Sequence, residues 1–85
     1  MKIEPEVIKE KVRSYIRQSV HVDGDKIRDG SLIFKEGFLD SMAFIVLITF
    51  LEEEFKIKTN DSDLVEENFE SIDAISGFVA RKSDS

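Results

Sequence analysis

The sequence predicts an all-α chain, a four-helix bundle with a long first loop and a short third helix. Three observations predict it. Apolar residues recur at three- and four-residue steps in three separate stretches. Residues that start and stop helices bracket those stretches. The segments between them are punctuated by Gly and Asp turn signals.

The first helix is expected within residues 1–20. Pro5 suits the first helical position, where a missing N–H costs nothing, and Glu6 places a favourable charge in the first turn. Val7, Ile8, Val12, Tyr15, Ile16 and Val20 form its apolar stripe, and Lys9, Lys11, Arg13 and Arg17 lie off it. Residues 21–40 form a long connection. Gly24, Gly30 and Gly37 punctuate it, and Asp23, Asp25 and Asp29 favour turns. A loop of this length needs anchors. Ile27, Leu32, Ile33, Phe34, Phe38 and Leu39 are the candidates, with a short helical turn expected at Ser31–Phe34.

The second helix spans residues 41–55. Asp40 is a good N-cap, because its carboxylate can accept from the free N–H groups of the first turn. Phe44, Leu47, Ile48, Leu51 and Phe55 share the core face. Met42, Val46, Thr49 and Glu53 oppose it, with Ala43 and Phe50 on one flank and Ile45 on the other. Either the Met42–Val46 side is exposed and binds something, or a long loop covers it. Farther on, Asp61 or Ser62 is expected to cap a short helix through Leu64-Val65-Glu66, which Asn68 ends in a left-handed conformation. The last helix covers 71–82, capped by Ser71, with Asp73 in its first turn and Arg81-Lys82 in its last. Its stripe is Ile72, Ile75, Phe78 and Val79, and it packs back on the first helix. Gly77 costs about 1 kcal/mol against Ala in a helix. The expected core is Ile8, Val12, Ile16, Phe34, Phe44, Leu47, Leu51, Phe55, Phe69, Ile75, Phe78 and Val79. One domain over residues 1–85, with 83–85 as a polar tail, is the expected organisation.

Composition narrows the function. Eighty-five residues make a thin core with little room for a buried catalytic cleft. The net charge of −6 argues against nucleic acid and for basic protein surfaces as partners. Without Cys there is no disulfide frame, thiolate metal site or thiol nucleophile. The start of the chain lacks a basic-then-apolar secretion pattern, and the apolar run from Phe38 to Leu51 is too short to span a bilayer. Cytoplasm is the expected compartment and a monomer the expected state.

No catalytic apparatus is visible, so an enzyme is not expected. His21 is the only His, and nothing places a Ser and an acid beside it. The stretch Asp25-x-Ile27-x-Asp29-Gly30-Ser31-x-Ile33-x-x-Glu36 partly matches a calcium loop. Ile27 cannot ligate, however, and Lys26 and Arg28 bring positive charge inside it. No metal is therefore expected.

The string Ile33-Phe34-x-x-Gly37-Phe38-Leu39-Asp40-Ser41-Met42, followed by Phe44, Leu47, Leu51 and Glu53-Glu54-Phe55, resembles the acyl carrier protein family. The resemblance covers nearly the whole chain, with Met42 where the family usually has Leu. It implies an acyl-carrier-like bundle with a 4′-phosphopantetheine arm on Ser41, and Asp40 as part of the motif. A phosphopantetheinyl transferase would attach the arm from coenzyme A, using its own magnesium. The arm's thiol would hold an acyl or aminoacyl group as a thioester, loaded by a ligase and delivered to an acyltransferase or synthase. Met42, Ala43, Val46 and Phe50 would form the docking face, with Glu52, Glu53, Glu66 and Glu67 as its electrostatic rim.

Two features set this chain apart from housekeeping fatty-acid carriers. Those have one residue between Gly and Asp, and here there are two, Phe38 and Leu39. They commonly have Glu where this chain has Val46. Both features resemble stand-alone D-alanyl, aminoacyl or specialised carriers of lipid, envelope-polysaccharide or secondary pathways. A helical adaptor using the apolar face of the second helix without modification is the alternative.

Overall fold

The computed structural model describes residues 4–20 and 26–83, and there the chain is helical without strands. Four α-helices follow one another: α1 (Pro5–Ser19), α2 (Ser41–Phe55), α3 (Glu66–Phe69) and α4 (Ile72–Ser83). A 3-10 turn, Asp61–Asp63, precedes α3. The expected bundle, with its long first loop and short third helix, is the observed one. His21, Asp23, Gly24, Asp25 and the tail residues Asp84 and Ser85 lie outside the described residues.

Pro5 opens α1, and the Glu4 carbonyl accepts from the N–H groups of Val7 and Ile8. Ile8, Val12 and Ile16, each four residues apart, are fully buried, and Tyr15 and Val20 pack at the edge of the core. Val7 departs from the expected stripe: it lies one position off that four-residue row and faces outward. The most extensive helix pairing is between α1 and α4. Ile72, Ile75, Phe78 and Val79 supply α4's share of the core. Each such side chain stabilises the fold by roughly 1.5–3 kcal/mol through removal from water.

The first loop is nailed down at both ends. Ile27, Ile33 and Leu39 are buried, and Phe34 and Phe38 pack against the core. Arg13 donates from Nε and Nη2 to the two carboxylate oxygens of Asp29, both at 2.8 Å. The Asp29 carbonyl accepts from Asp73 N–H, and Glu70's carbonyl accepts from Ile33 N–H, so the loop is laced to the start of α4. The expected turn at Ser31–Phe34 lies later, over residues 33–37. Ile33's carbonyl accepts from both Phe38 and Leu39 N–H, and that closure brings Gly37 to φ 82°, a conformation glycine adopts without steric cost.

The segment between α2 and α4 differs from expectation. Asn60, rather than Asp61 or Ser62, caps the 3-10 turn, in a reciprocal box with Asp63. The short helix begins at Glu66, beyond Leu64 and Val65. Asn68 sits inside α3, where its side-chain amide donates to the Asp63 carbonyl at 2.8 Å instead of ending the helix left-handed. The left-handed helix end belongs to Lys56, which stops α2 at φ 55°. Ser71 does cap α4, accepting from Ala74 N–H at 3.1 Å. Ser83, expected in the polar tail, instead closes α4, its hydroxyl donating to the Val79 carbonyl. A Cβ added at Gly77 would meet only the Arg81 guanidinium, at 3.5 Å, so no neighbouring helix demands glycine there.

Candidate phosphopantetheine attachment site

Asp40 is extended at φ −108° and carries both duties of an N-cap. Its carboxylate accepts from Ala43 N–H at 2.9 Å, and its carbonyl accepts the first helical bond from Phe44 N–H at 3.0 Å. Ser41 is the first residue of α2 and is exposed. Its hydroxyl makes no hydrogen bond with any described residue. The cap leaves first-turn amides available beside it, at the end of the helix where the dipole favours negative charge.

Ser41 also opens onto a cleft of about 510 Å³. The rings of Phe34, Phe44 and Phe69 line it with Leu39 and Leu64, and Asp40, Ser41 and Glu66 complete the lining. Phe44 meets Phe34 and Phe69 edge-on, at centroid distances of 5.5 and 5.3 Å, a favourable arrangement of ring quadrupoles. This explains why Phe34 and Phe44, expected in the core, are only partly buried: one side of each ring belongs to the cleft.

The residues expected to meet partners divide into two groups. Met42 and Val46 are exposed together with Ile45, so no described loop covers this face; Glu53, Glu66 and Glu67 are exposed as well. Ala43 is half-buried. Phe50 turns the other way, stacking on Tyr15 at 4.0 Å with the rings 4° from parallel, and so joins α2 to α1. The Glu52 carboxylate accepts from Thr59 N–H at 2.9 Å and from its hydroxyl at 2.8 Å. Those two bonds hold its pKa below the ordinary glutamate value. Sequence reasoning did not place Ile45 or Leu64 at the site. Ile45 carried a usable signal, since it follows Ser41 by four residues and shares its side of the helix. Leu64 carried none, because only the path of the chain after α2 brings it to the cleft.

Among the described residues no group of three or more His, Asp or Glu is placed to hold a metal, and no helix is long and apolar enough to cross a membrane. No curated protein is similar enough to the chain to count as a match. A family model described as the phosphopantetheine attachment site matches residues 10–79, which takes in α2, α3 and most of α1 and α4. In this family 4′-phosphopantetheine is attached covalently to a serine. The residues present suit that group: an unengaged hydroxyl to esterify, first-turn amides for a phosphodiester, and an apolar cleft beside them for the arm. With the match running over most of its length, the chain belongs to the phosphopantetheine-attachment family of carrier domains.

Proposed function

We propose that Ser41 is the attachment point, and that the chain carries an acyl or aminoacyl group on the arm to partner enzymes in a specialised lipid, envelope-polysaccharide or secondary pathway. The observation that carries this reading is the Ser41 hydroxyl, exposed and unengaged at the first position of a capped helix. When bound, the arm supplies a thiol that holds its cargo as a thioester. The chain's own residues present the serine, hold the helix mouth and offer a docking surface. In the loading step the Ser41 Oγ–phosphorus bond forms as the pyrophosphate bond of coenzyme A breaks, and adenosine 3′,5′-bisphosphate leaves. The hydroxyl proton passes to a base on the transferase, and Asp40 orients the motif for that encounter. A ligase then loads the cargo, and an acyltransferase or synthase receives it. The residues from 1 to 85 act as one such domain, monomeric and in the cytoplasm.

Intact mass after incubation with coenzyme A and a broad-specificity phosphopantetheinyl transferase tests the proposal. The expected result is a gain of one phosphopantetheine, abolished by Ser41→Ala. A gain that survives Ser41→Ala, or no gain at all, overturns it. The exposed Met42, Ile45 and Val46 favour one second reading, an unmodified adaptor, in which Ser41→Ala leaves function intact.

A further inference from the structure

The carrier reading leaves the cargo open between an acyl and an aminoacyl group. Resting on that reading, the chemistry of the cleft beside Ser41 separates the two. Its volume of about 510 Å³ lies within the range of small-molecule sites, about 300–1,000 Å³. Its apolar lining is largely aromatic. Phe34 and Phe44 are partly buried against the core, and Phe69, fully buried, backs Phe44 edge-on at 5.3 Å. Aromatic rings shed water as aliphatic side chains do, but their negative faces also attract cations.

The charged groups beside those rings are acids. Asp40 and Glu66 line the cleft, and among the described residues no Lys or Arg does. Asp40 gives one carboxylate oxygen to Ala43 N–H, whereas the exposed Glu66 carboxylate pairs with no described residue. Lys35, the one Lys or Arg between Arg28 and Lys56, stands outside the cleft. It lines a smaller recess of about 100 Å³ that shares Phe34 and Glu66 with the cleft, and there Glu66 and Glu70 outnumber it. A phosphodiester on Ser41 adds one more negative charge at the mouth. A neutral acyl chain would use the rings and leave the acids without a partner, and an anionic cargo would be repelled. An ammonium on an apolar body suits rings and acids together.

We propose that the cleft receives the cargo end of the loaded arm and favours an aminoacyl group with an apolar side chain. The side chain packs against Phe34 and Phe44, Glu66 meets the α-ammonium, and Asp40 adds to the negative field. Glu66 is then the residue that tells an aminoacyl cargo from an acyl one of the same shape.

Two matched arms test this. One coenzyme A analogue carries leucine through an amide link that resists hydrolysis. The other carries isocaproate, the leucine skeleton without its amino group. A broad-specificity phosphopantetheinyl transferase places each arm on the chain, and intact mass confirms the products. At pH about 6.5, below the α-amino pKa of about 8, the leucyl form is expected to melt at least about 4 °C above the isocaproyl form. It is also expected to move the ring-proton NMR signals of Phe34 and Phe44 farther from their positions in the unloaded chain. Glu66→Gln is expected to cut the melting difference to under about 2 °C. Glu67→Gln, at an exposed neighbour that does not line the cleft, leaves the difference as it was. Both arms are compared on the same variant, so any change in the fold's own stability cancels. Equal melting of the two wild-type forms, or a difference that survives Glu66→Gln or falls equally in Glu67→Gln, overturns the proposal. So does an isocaproyl form that melts higher, which would mark a cleft for neutral acyl chains. Failure of the carrier reading is distinct from all of these: neither arm would then add mass to the wild type.

Discussion

Replacing Asp40 separates its structural duty from its chemical one. The carboxylate accepts from Ala43 N–H at 2.9 Å at an exposed helix start, so Asp40→Ala orphans a first-turn donor that water can partly satisfy. Losing a cap of this kind costs about 1 kcal/mol, in a range of roughly 0.5–2. Losing the favourable charge at the helix N-terminus adds about 0.3–1 kcal/mol. The sum, about 1–2 kcal/mol, is bounded above because Leu47, Leu51 and Phe55 lie later in α2 and stay packed if the first turn frays. Asp40→Asn keeps an acceptor oxygen and loses only the charge, so about 0.3–1 kcal/mol is expected. In a domain of this size each kcal/mol moves the melting midpoint by about 4–8 °C. Thermal melting by far-UV circular dichroism, paired with urea unfolding at neutral pH, reads the series. If Asp40→Ala melts within about 1 °C of wild type, or Asp40→Asn is as damaging as Asp40→Ala, the capping argument fails.

Leu51 is fully buried, so Leu51→Ala should cost about 2–5 kcal/mol in urea unfolding. That loss is large enough to threaten a domain this small, and a loss under about 1 kcal/mol would contradict the packing. Gly77→Ala should stabilise by up to about 1 kcal/mol, since the new methyl meets only the Arg81 side chain in ordinary contact; destabilisation would reveal a constraint at that helix position. Asp29, Glu52 and Asp63 all have carboxyls held below their ordinary values, by Arg13, by Thr59 and by Lys82 respectively. Their contribution is complete above the unfolded carboxylate range, whose values are 4.5 for Glu and 3.8 for Asp, and is lost as pH falls through the lowered folded values. Unfolding free energy should therefore be level near neutrality and decline in acid, with a shallower decline in Glu52→Gln; an unchanged slope in that variant would show that the Thr59 bonds do not matter.

The sequence made the long helices legible because each carries its own evidence. Pro5 and the Ile8-Val12-Ile16 spacing are enough for α1, and Asp40 followed by an apolar run is enough for α2. The loop anchors Ile27, Ile33 and Leu39 could be named because buried apolar residues stand out in a polar connection. The 59–70 stretch resisted for a physical reason. Thr59, Asn60, Asp61, Ser62 and Asp63 are all competent caps, and a four-residue helix is too short to show a period. At the site, the docking of Phe50 on Tyr15 and of Glu52 on Thr59 depends on partners elsewhere in the chain. The first lies on another helix, and the second returns after the left-handed reversal at Lys56. A helical wheel reports a direction, not what waits there.

The last turn of α4 reaches back to the far side of the cleft. Arg81 donates to the Asn68 side chain at 3.2 Å, and Lys82 pairs with Asp63 at 2.8 Å. A chain trimmed after Ala80 would retain every buried residue of that helix, and by the measure of the core it would look intact. It would lose the two moorings of the 63–68 bank, the shore opposite the serine. Affinity handles therefore belong at the opposite terminus, and shortened versions of this protein should be judged by how readily they are loaded as well as by how well they melt.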